Sequence, residues 1–219
     1  MNIFLWFILL IVNFGGILLA FKIFKKTGLY VWIAVSIIIA NIQVIKTIEL
    51  LGVITTLGNI IYATTFLATD ILSEIYGKKE ARKGVYIGIF SMIMTTIIIQ
   101  ISLMFKPDPS DFSQGALETI FTILPRITIA SITAYVISQL HDVWAYNFWK
   151  KRNPHIWVRN NLSTMVSQLI DSLVFVTIAF WGVFELSVFI QIAITTYVLK
   201  WVVAALDTPF IYIAKKMNK

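Results

Sequence analysis

The chain has 219 residues, of which 58% are hydrophobic and only 13% are charged. Its mean hydropathy of +0.84 excludes an ordinary soluble domain and indicates a membrane protein with several transmembrane segments. The absence of cysteine and the presence of only two histidines exclude disulfides and make a metal cluster unexpected. We therefore predict one integral membrane domain over residues 1–219, without a metal or other cofactor.

The apolar segments predict an all-α polytopic bundle of about seven transmembrane helices. These segments cover residues 3–21, 30–45, 52–69, 85–105, 117–140, 159–182 and 186–214. The number falls to six if the second or third segment is re-entrant. The two longest polar stretches, DILSEIYGKKEARKG and HDVWAYNFWKKRNPHIWVRN, are interpreted as connectors between helices.

The basic residues give the bundle an expected orientation. Fourteen of the 18 Lys and Arg residues lie in four regions that alternating helices place on one side, namely 22–26, 78–83, 150–159 and 215–219. The positive-inside rule then predicts an external N-terminus and a cytoplasmic C-terminus, so the net charge of +7 reflects topology rather than nucleic-acid binding.

The first segment has no basic residue before it and three lysines after it, which is the reverse of a cleaved signal peptide. We expect a retained helix. Its Gly16 and Ala20 would allow another helix to approach closely. That helix belongs either to the same chain or to a second copy in a homodimer.

The sixth segment carries a polar stripe at membrane depth. Thr164, Gln168, Asp171 and Phe175 are spaced by four, three and four residues and so share one helix face. Asp171 lies 12 residues after Arg159, or roughly 18 Å along the helix, near the bilayer midplane. A carboxylate there must face the protein interior or a water-filled cavity.

Arg126 and Lys200 are the other charged groups expected inside the membrane. An ion pair of Asp171 with one of them is predicted, and it either only orients the bundle or belongs to a substrate pathway. Asp207 shares a helix face with Lys200.

Three further acidic residues lie near helix ends. Asp70 and Glu74 are one turn apart, and they either serve a ligand or pair with Lys78 and Arg82 in a solvated connector. Asp142 and Asp207 are assigned to structural ion pairs or gating, with Asp142 expected to pair with the basic loop that follows it.

The chain lacks the phosphate-binding loop GxxxxGK[ST] and the hydrolase motifs HExxH and GxSxG. This argues against an ATP-driven pump and against a recognisable enzyme, and it favours a carrier. A substrate-capture subunit of a multicomponent transporter and an intramembrane enzyme remain alternatives. A short repeat, SQLHD at 138–142 and SQLID at 167–171, is consistent with inverted repeats or with coincidence.

Three stretches carry a resemblance to a known family: TTFLATDILSEIYGKKEARKGVYIG, SQLHDVWAYNFWKKRNPHIWVRNNLSTMVSQLIDSLVF and KWVVAALDTP. Together they resemble the queuosine precursor transporter family, formerly grouped with vitamin uptake transporters. The resemblance implies a protein of the bacterial cytoplasmic membrane that imports a 7-deazaguanine for tRNA modification. The candidates are 7-cyano-7-deazaguanine, 7-aminomethyl-7-deazaguanine and queuine. It also implies a six-helix core similar to the substrate-binding subunits of energy-coupling-factor transporters.

A deazaguanine has N–H donors that suit a carboxylate and a carbonyl oxygen that suits an amide or a cation. We therefore expect Asp171, with Asp70 or Glu74, to accept hydrogen bonds from such a base, and Gln168, Arg126 or Lys200 to donate to its carbonyl. Tyr62 and Phe66, inside the third segment, are expected to stack on the ring.

Overall fold

The computed structural model describes residues 1–50, 52–122, 124–182 and 185–218. These residues form a helical bundle with one small hairpin. The elements are α1 (Asn2–Gln43), β1 (Thr47–Leu50), β2 (Val53–Thr56), α2 (Asn59–Ile75), α3 (Lys78–Leu103), α4 (Gln114–Phe121), α5 (Leu124–Lys150), α6 (Ile156–Phe180) and α7 (Leu186–Met217).

Helix α1 consists of two antiparallel halves that meet at Lys25, where the backbone leaves helical geometry with φ 52° and ψ −132°. A Cβ atom on Gly16 would lie 2.5 Å from the Trp32 ring, although a straight helix would separate these residues by about 24 Å. The amide of Asn2 also reaches the carbonyl of Glu49 at 3.1 Å. The first two predicted segments therefore pack against each other, and the close approach at Gly16 is intramolecular.

Helix α2 is the central helix of the bundle. It contacts α1, α3, α5 and α7, and all of its 17 residues except Tyr62 and Ile75 are buried. Because the polar residues of α2 are buried with the rest of the helix, their partners must come from α2 itself or from the surrounding helices. Helices α5, α6 and α7 pack consecutively beside it.

Three predicted boundaries are wrong. Residues 53–56, expected in the third helix, form the antiparallel hairpin of β1 and β2, in which Thr47 pairs with Thr56 and Leu50 with Val53. The sequence VITT is β-branched throughout, which favours a strand, and Gly52 takes the positive φ of 80° that the turn requires.

The stretch beginning at His141 was expected to be a connector, but α5 continues through it to Lys150. The buried residues Ser138, Gln139, Asp142, Val143 and Tyr146 recur at helical spacing and give this part of α5 an inward face. The connector from Asp70 is likewise replaced by helix, since α2 ends at Ile75 and α3 begins at Lys78.

Four helices in the described part of the chain are long and apolar enough to cross a membrane: Asn2–Gln43, Lys78–Leu103, Ile156–Phe180 and Phe189–Met217. A fifth candidate is the pair formed by α4 and Pro125–Lys150, which is bent by 45°. The protein is thus an all-α membrane protein apart from its hairpin.

Candidate functional site

A cavity of about 60 Å³ lies inside the bundle and reaches Asp171. One water needs about 10–15 Å³, so this space has room for several waters or for the polar edge of a small planar ligand. The cavity is bounded by parts of α1, α2, α3, α5, α6 and α7. Its polar wall residues are Asn41, Asn59, Tyr62, Ser131, Asp171, Thr196 and Lys200.

Asp171 is buried and fully hydrogen-bonded at the bottom of this cavity. Its Oδ2 is paired with the Lys200 ammonium, and its Oδ1 accepts hydrogen bonds from the Tyr62 hydroxyl and from Ser138 Oγ at 3.0 Å. The Lys200 Nζ lies 4.7 Å from the Tyr62 ring centroid. Lys200 is one of the two partners expected for Asp171.

The ion pair of Asp171 and Lys200 offers a ligand both an acceptor and a donor at one place. A ligand with an adjacent N–H donor and carbonyl acceptor would replace the pair without leaving either charge unpaired. Such a site discriminates against molecules that lack one of the two groups, because a buried charge would lose its partner.

Arg126 does not belong to this cavity. Its side chain is exposed and donates hydrogen bonds to the carbonyl oxygens of Ile178 at 3.0 Å and Trp181 at 2.8 Å. The last carbonyls of a helix lack intrahelical partners, so a nearby guanidinium stabilises the end of α6. Of the two partners expected for Asp171, Arg126 is therefore the one that does not pair with it.

Phe66 and Gln168, which were also predicted for the site, do not line the cavity. Phe66 is fully buried and contacts Tyr62 edge to face, with ring centroids 5.8 Å apart. It therefore supports the Tyr62 ring. Gln168 is also fully buried, and neither of its amide atoms has a hydrogen-bond partner among the described residues.

A second set of polar residues lies further along α2, and we call Asp70, Asp142 and Asp207 the acidic cluster. The three carboxyl groups come from α2, α5 and α7, are buried and interact electrostatically with one another. Asp70 accepts from Thr164 at 3.2 Å, and Asp207 accepts from Asn160 at 2.8 Å. The expected pairing of Asp142 with the basic loop is wrong, because Asp142 is inside the bundle.

Glu74 forms a third set, which we call the inner ion-pair cluster. It pairs with the buried Arg159, with Lys215 at 2.7 Å and with Lys150 at 3.6 Å. The alternative in which Glu74 pairs with Lys78 and Arg82 in a solvated connector is wrong. The reason is the continuation of α2 to Ile75, which turns Glu74 toward α5, α6 and α7.

The three sets follow one another along α2, at Tyr62, Asp70 and Glu74. Their separations of eight and four residues correspond to about 12 Å and 6 Å along the helix. The same order recurs in reverse along α6, at Asp171, Thr164 and Arg159. A column of buried polar groups thus leads from the cavity to the end of the bundle where several basic residues gather.

Sequence reasoning missed several members of this column. Arg159 was counted among the basic residues of a loop, and Ser138 was noted only as part of the repeat. The recurring SQLHD and SQLID motifs were the available signal, because Ser138 of one copy bonds Asp171 of the other. Reciprocally, Ser167 bonds His141 at 3.0 Å, so the two copies contact each other across antiparallel helices.

Comparison with known proteins assigns a family. The family model described as "Putative vitamin uptake transporter" matches residues 56–214. A "Probable queuosine precursor transporter" of Bacillus subtilis (strain 168) is 44% identical over 215 residues, covering 97% of this chain and 94% of the relative. A "Queuosine precursor transporter" of Escherichia coli (strain K12) is 29% identical over 164 residues, covering 74% and 72%.

A "Probable queuosine precursor transporter" of Haemophilus influenzae is 33% identical over 127 residues, covering 58% of this chain and 52% of the relative. No solved structure matches the chain significantly. These relatives are transporters rather than enzymes, which agrees with the absence of hydrolase motifs. The chain belongs to the vitamin uptake transporter family, the family expected from its sequence motifs.

Proposed function

We propose that this protein is a secondary carrier that imports queuosine precursors, with the base bound at Asp171. The observation that carries the proposal is the buried pair of Asp171 and Lys200 in the wall of a cavity at membrane depth. The names of the relatives supply the chemical class of the substrate.

In the bound state, Asp171 accepts hydrogen bonds from the amino-pyrimidinone edge of a 7-deazaguanine, and Lys200 donates to its carbonyl. Tyr62 packs on the ring, supported by Phe66. Both 7-cyano-7-deazaguanine and queuine present this same edge. The group attached to the 7-position then points toward the rest of the cavity, where Asn41 and Asn59 provide amide groups.

The column of buried polar groups marks the path that the substrate would follow through the bundle. The cavity adjoins the β1–β2 side through Val44 and Gly58, and the inner ion-pair cluster closes the opposite end. With seven crossings in the bacterial cytoplasmic membrane, an external N-terminus and a cytoplasmic C-terminus, the cavity faces outward. The halves of α1, together with α2, α3, α5, α6 and α7, supply these crossings. The likeness to energy-coupling-factor subunits rests on the family resemblance alone.

Ligand binding is testable by thermal unfolding of the detergent-purified protein. A ligand at a hundredfold excess over its Kd stabilises the folded state by about 2.7 kcal/mol. We expect a rise in Tm with queuine and 7-cyano-7-deazaguanine, a smaller rise with guanine, and no rise with any of them in Asp171→Asn.

The matched control is Asp108→Asn, the same substitution in an exposed loop, which should keep the full response. A response that survives in Asp171→Asn would move the binding site away from the cavity. No response of the wild type to any of these bases would contradict the proposed substrate class.

A capture subunit that docks on a separate energising complex is the other candidate. It binds the same bases but does not move them alone. Uptake of labelled 7-cyano-7-deazaguanine by liposomes that contain only this protein supports the carrier. Binding without uptake or exchange supports the capture subunit.

A further inference from the structure

We propose that the acidic cluster of Asp70, Asp142 and Asp207 binds the proton whose movement drives uptake, and that Asp70 and Asp142 share it. This inference rests on the proposed function and names the coupling ion and its site. The supporting observation is that these three carboxyl groups form no salt bridge among the described residues, whereas Glu74 and Asp171 do.

The acidic cluster has no cationic partner. Asp171 pairs with Lys200, and Glu74 pairs with Arg159, Lys150 and Lys215. No salt bridge among the described residues involves Asp70, Asp142 or Asp207. Three negative charges so close together in a buried site would repel one another and would each lose solvation, so at least one carboxyl group is protonated.

Asp142 and Asp70 are the two carboxyl groups that would share this proton. Neither oxygen of Asp142 has a hydrogen-bond donor of good geometry among the described residues, although Ser163, Thr164, Ser167 and the Asp70 carboxyl group lie close to it. Each of these hydroxyls already donates elsewhere: Ser163 to the Asn160 carbonyl, Thr164 to Asp70 and Ser167 to the Ser163 carbonyl. A proton held between Asp70 and Asp142 would instead join the two carboxyl groups, which interact directly with each other.

The amide group of Asn160 also contacts the cluster. Asn160 is fully buried and donates through Nδ2 to Asp207 and to Thr208, both at 2.8 Å, while its Oδ1 has no donor in the described structure. The second oxygen of Asp207 is also without a donor among the described residues. In this part of the chain the cluster therefore has more acceptor atoms than donors, and a proton on one carboxyl group would supply a further donor.

The remaining ionisable groups near the cluster already have partners or are uncharged. Tyr146 donates to Glu74 at 3.3 Å, and His141 bonds Ser167. The ionisable side chains that α2, α5, α6 and α7 contribute on either side are Tyr62, Glu74, Tyr135, His141, Tyr146, Lys150, Arg159, Asp171, Lys200 and Lys215. Among them, the buried cations Arg159 and Lys200 are each held by another carboxylate.

The position of the cluster suits coupling. It lies between the substrate cavity and the inner ion-pair cluster, and its members come from three different helices. Any rearrangement that opens the inner end would bring water or Arg159 to the carboxyl groups and favour release of the proton. The internal repeat supports this assignment, because Asp142 in SQLHD corresponds to Asp171 in SQLID, and only the second has a lysine partner.

Transport in liposomes tests the inference. With one proton per ligand, an external pH one unit below the internal pH supports up to about tenfold accumulation of labelled 7-cyano-7-deazaguanine. We expect a protonophore to abolish this accumulation. In Asp142→Asn we expect no accumulation, so that the ligand concentrations inside and outside the liposomes become equal. Exchange of internal for external ligand should continue. Asp108→Asn should behave like the wild type.

Infrared spectroscopy provides a readout that does not depend on transport. At neutral pH the wild type should show the C=O stretching band of a protonated carboxyl group, and this band should weaken in Asp142→Asn. Because Asn mimics a protonated carboxyl group, Asp142→Asn should fold. Asp70→Asn, which removes the other carboxyl group that shares the proton, is the second variant and should also uncouple uptake.

Failure of the proton site and failure of the proposed carrier function would give different results. Exchange by the wild type without any effect of the pH gradient would overturn the proton site and leave the carrier intact. A carboxyl band that is absent, or unchanged in both variants, would also overturn it. Lack of both binding and exchange in the wild type would instead contradict the proposed function.

Discussion

At the residue scale, the buried carboxylates differ in how they are compensated. Glu74 has one buried cation, Arg159, and two cations that are partly exposed, Lys150 and Lys215, with side-chain exposures of 31% and 50%. Arg159 has a side-chain exposure of 5%, and Glu74 is its only salt-bridge partner among the described residues. Arg159 therefore depends on Glu74 for its opposite charge, whereas Glu74 keeps two other cations without Arg159.

This asymmetry predicts unequal effects of substitution. Glu74→Gln leaves the buried Arg159 without an opposite charge, which costs about 3–5 kcal/mol. Arg159→Met leaves Glu74 with its two lysines and should cost clearly less. The measurement is the Tm of each purified variant in the same detergent.

The double variant Glu74→Gln with Arg159→Met is the control, because it removes both buried charges together. It should recover much of the stability lost in Glu74→Gln. Equal losses in the two single variants, or a double variant with additive losses, would show that the buried pair does not control the stability of this end of the bundle.

At the element scale, the antiparallel halves of α1 meet at a contact that only glycine allows. A Cβ atom on Gly16 would lie 2.5 Å from the Trp32 ring, and that ring cannot easily move because its Nε1 donates to Thr64 at 2.9 Å. The contact thus joins both halves of α1 to the central helix α2.

We expect Gly16→Ala to destabilise the protein by about 1–3 kcal/mol, the usual cost of overpacking a core. Gly15→Ala is the matched control, because a Cβ atom there would meet nothing within 4 Å and alanine is the better helix former by about 1 kcal/mol. Gly15→Ala should be neutral or slightly stabilising. Equal Tm values for the two variants would contradict the close packing at Gly16.

Helix positions were predictable where a segment of membrane-spanning length is mostly apolar, as for α6 and α7. They were not predictable where burial is polar. The stretch from His141 to Lys150 has four polar or charged residues among ten, which lowers its hydropathy and marks it as a loop. Its helical face became visible only when α2 and α6 were seen to pack against the face of α5 that carries Ser138, Gln139 and Asp142.

At the scale of the whole molecule, the sequence predicted that Asp171 is buried beside a basic residue, but it did not predict which one. Asp171 was identified from depth and spacing alone, since a carboxylate near the midplane must have partners inside the protein. The choice between Arg126 and Lys200 depends on how α5 and α7 pack against α6, which no local pattern encodes. The acidic cluster is likewise a product of packing, because its three members are distant in the chain.

The orientation of the whole bundle is the remaining expectation with a direct test. The contacts place basic segments at one end: Lys25 reaches the carbonyl of Met217 at 3.5 Å, and Lys150, Arg159 and Lys215 meet at Glu74. Because positive residues are retained on the cytoplasmic side, this end should face the cytoplasm.

The natural chain has no cysteine, so a single introduced cysteine can be labelled without background. Phe112, which is 98% exposed in the loop between α3 and α4, and Pro154, which is exposed in the loop between α5 and α6, lie at opposite ends of the bundle. In intact cells, a membrane-impermeant maleimide should label Phe112→Cys at once and Pro154→Cys only after permeabilisation. The reverse pattern would invert the bundle and make the cavity face the cytoplasm, and the acidic cluster would then lie on the outer side of the substrate site.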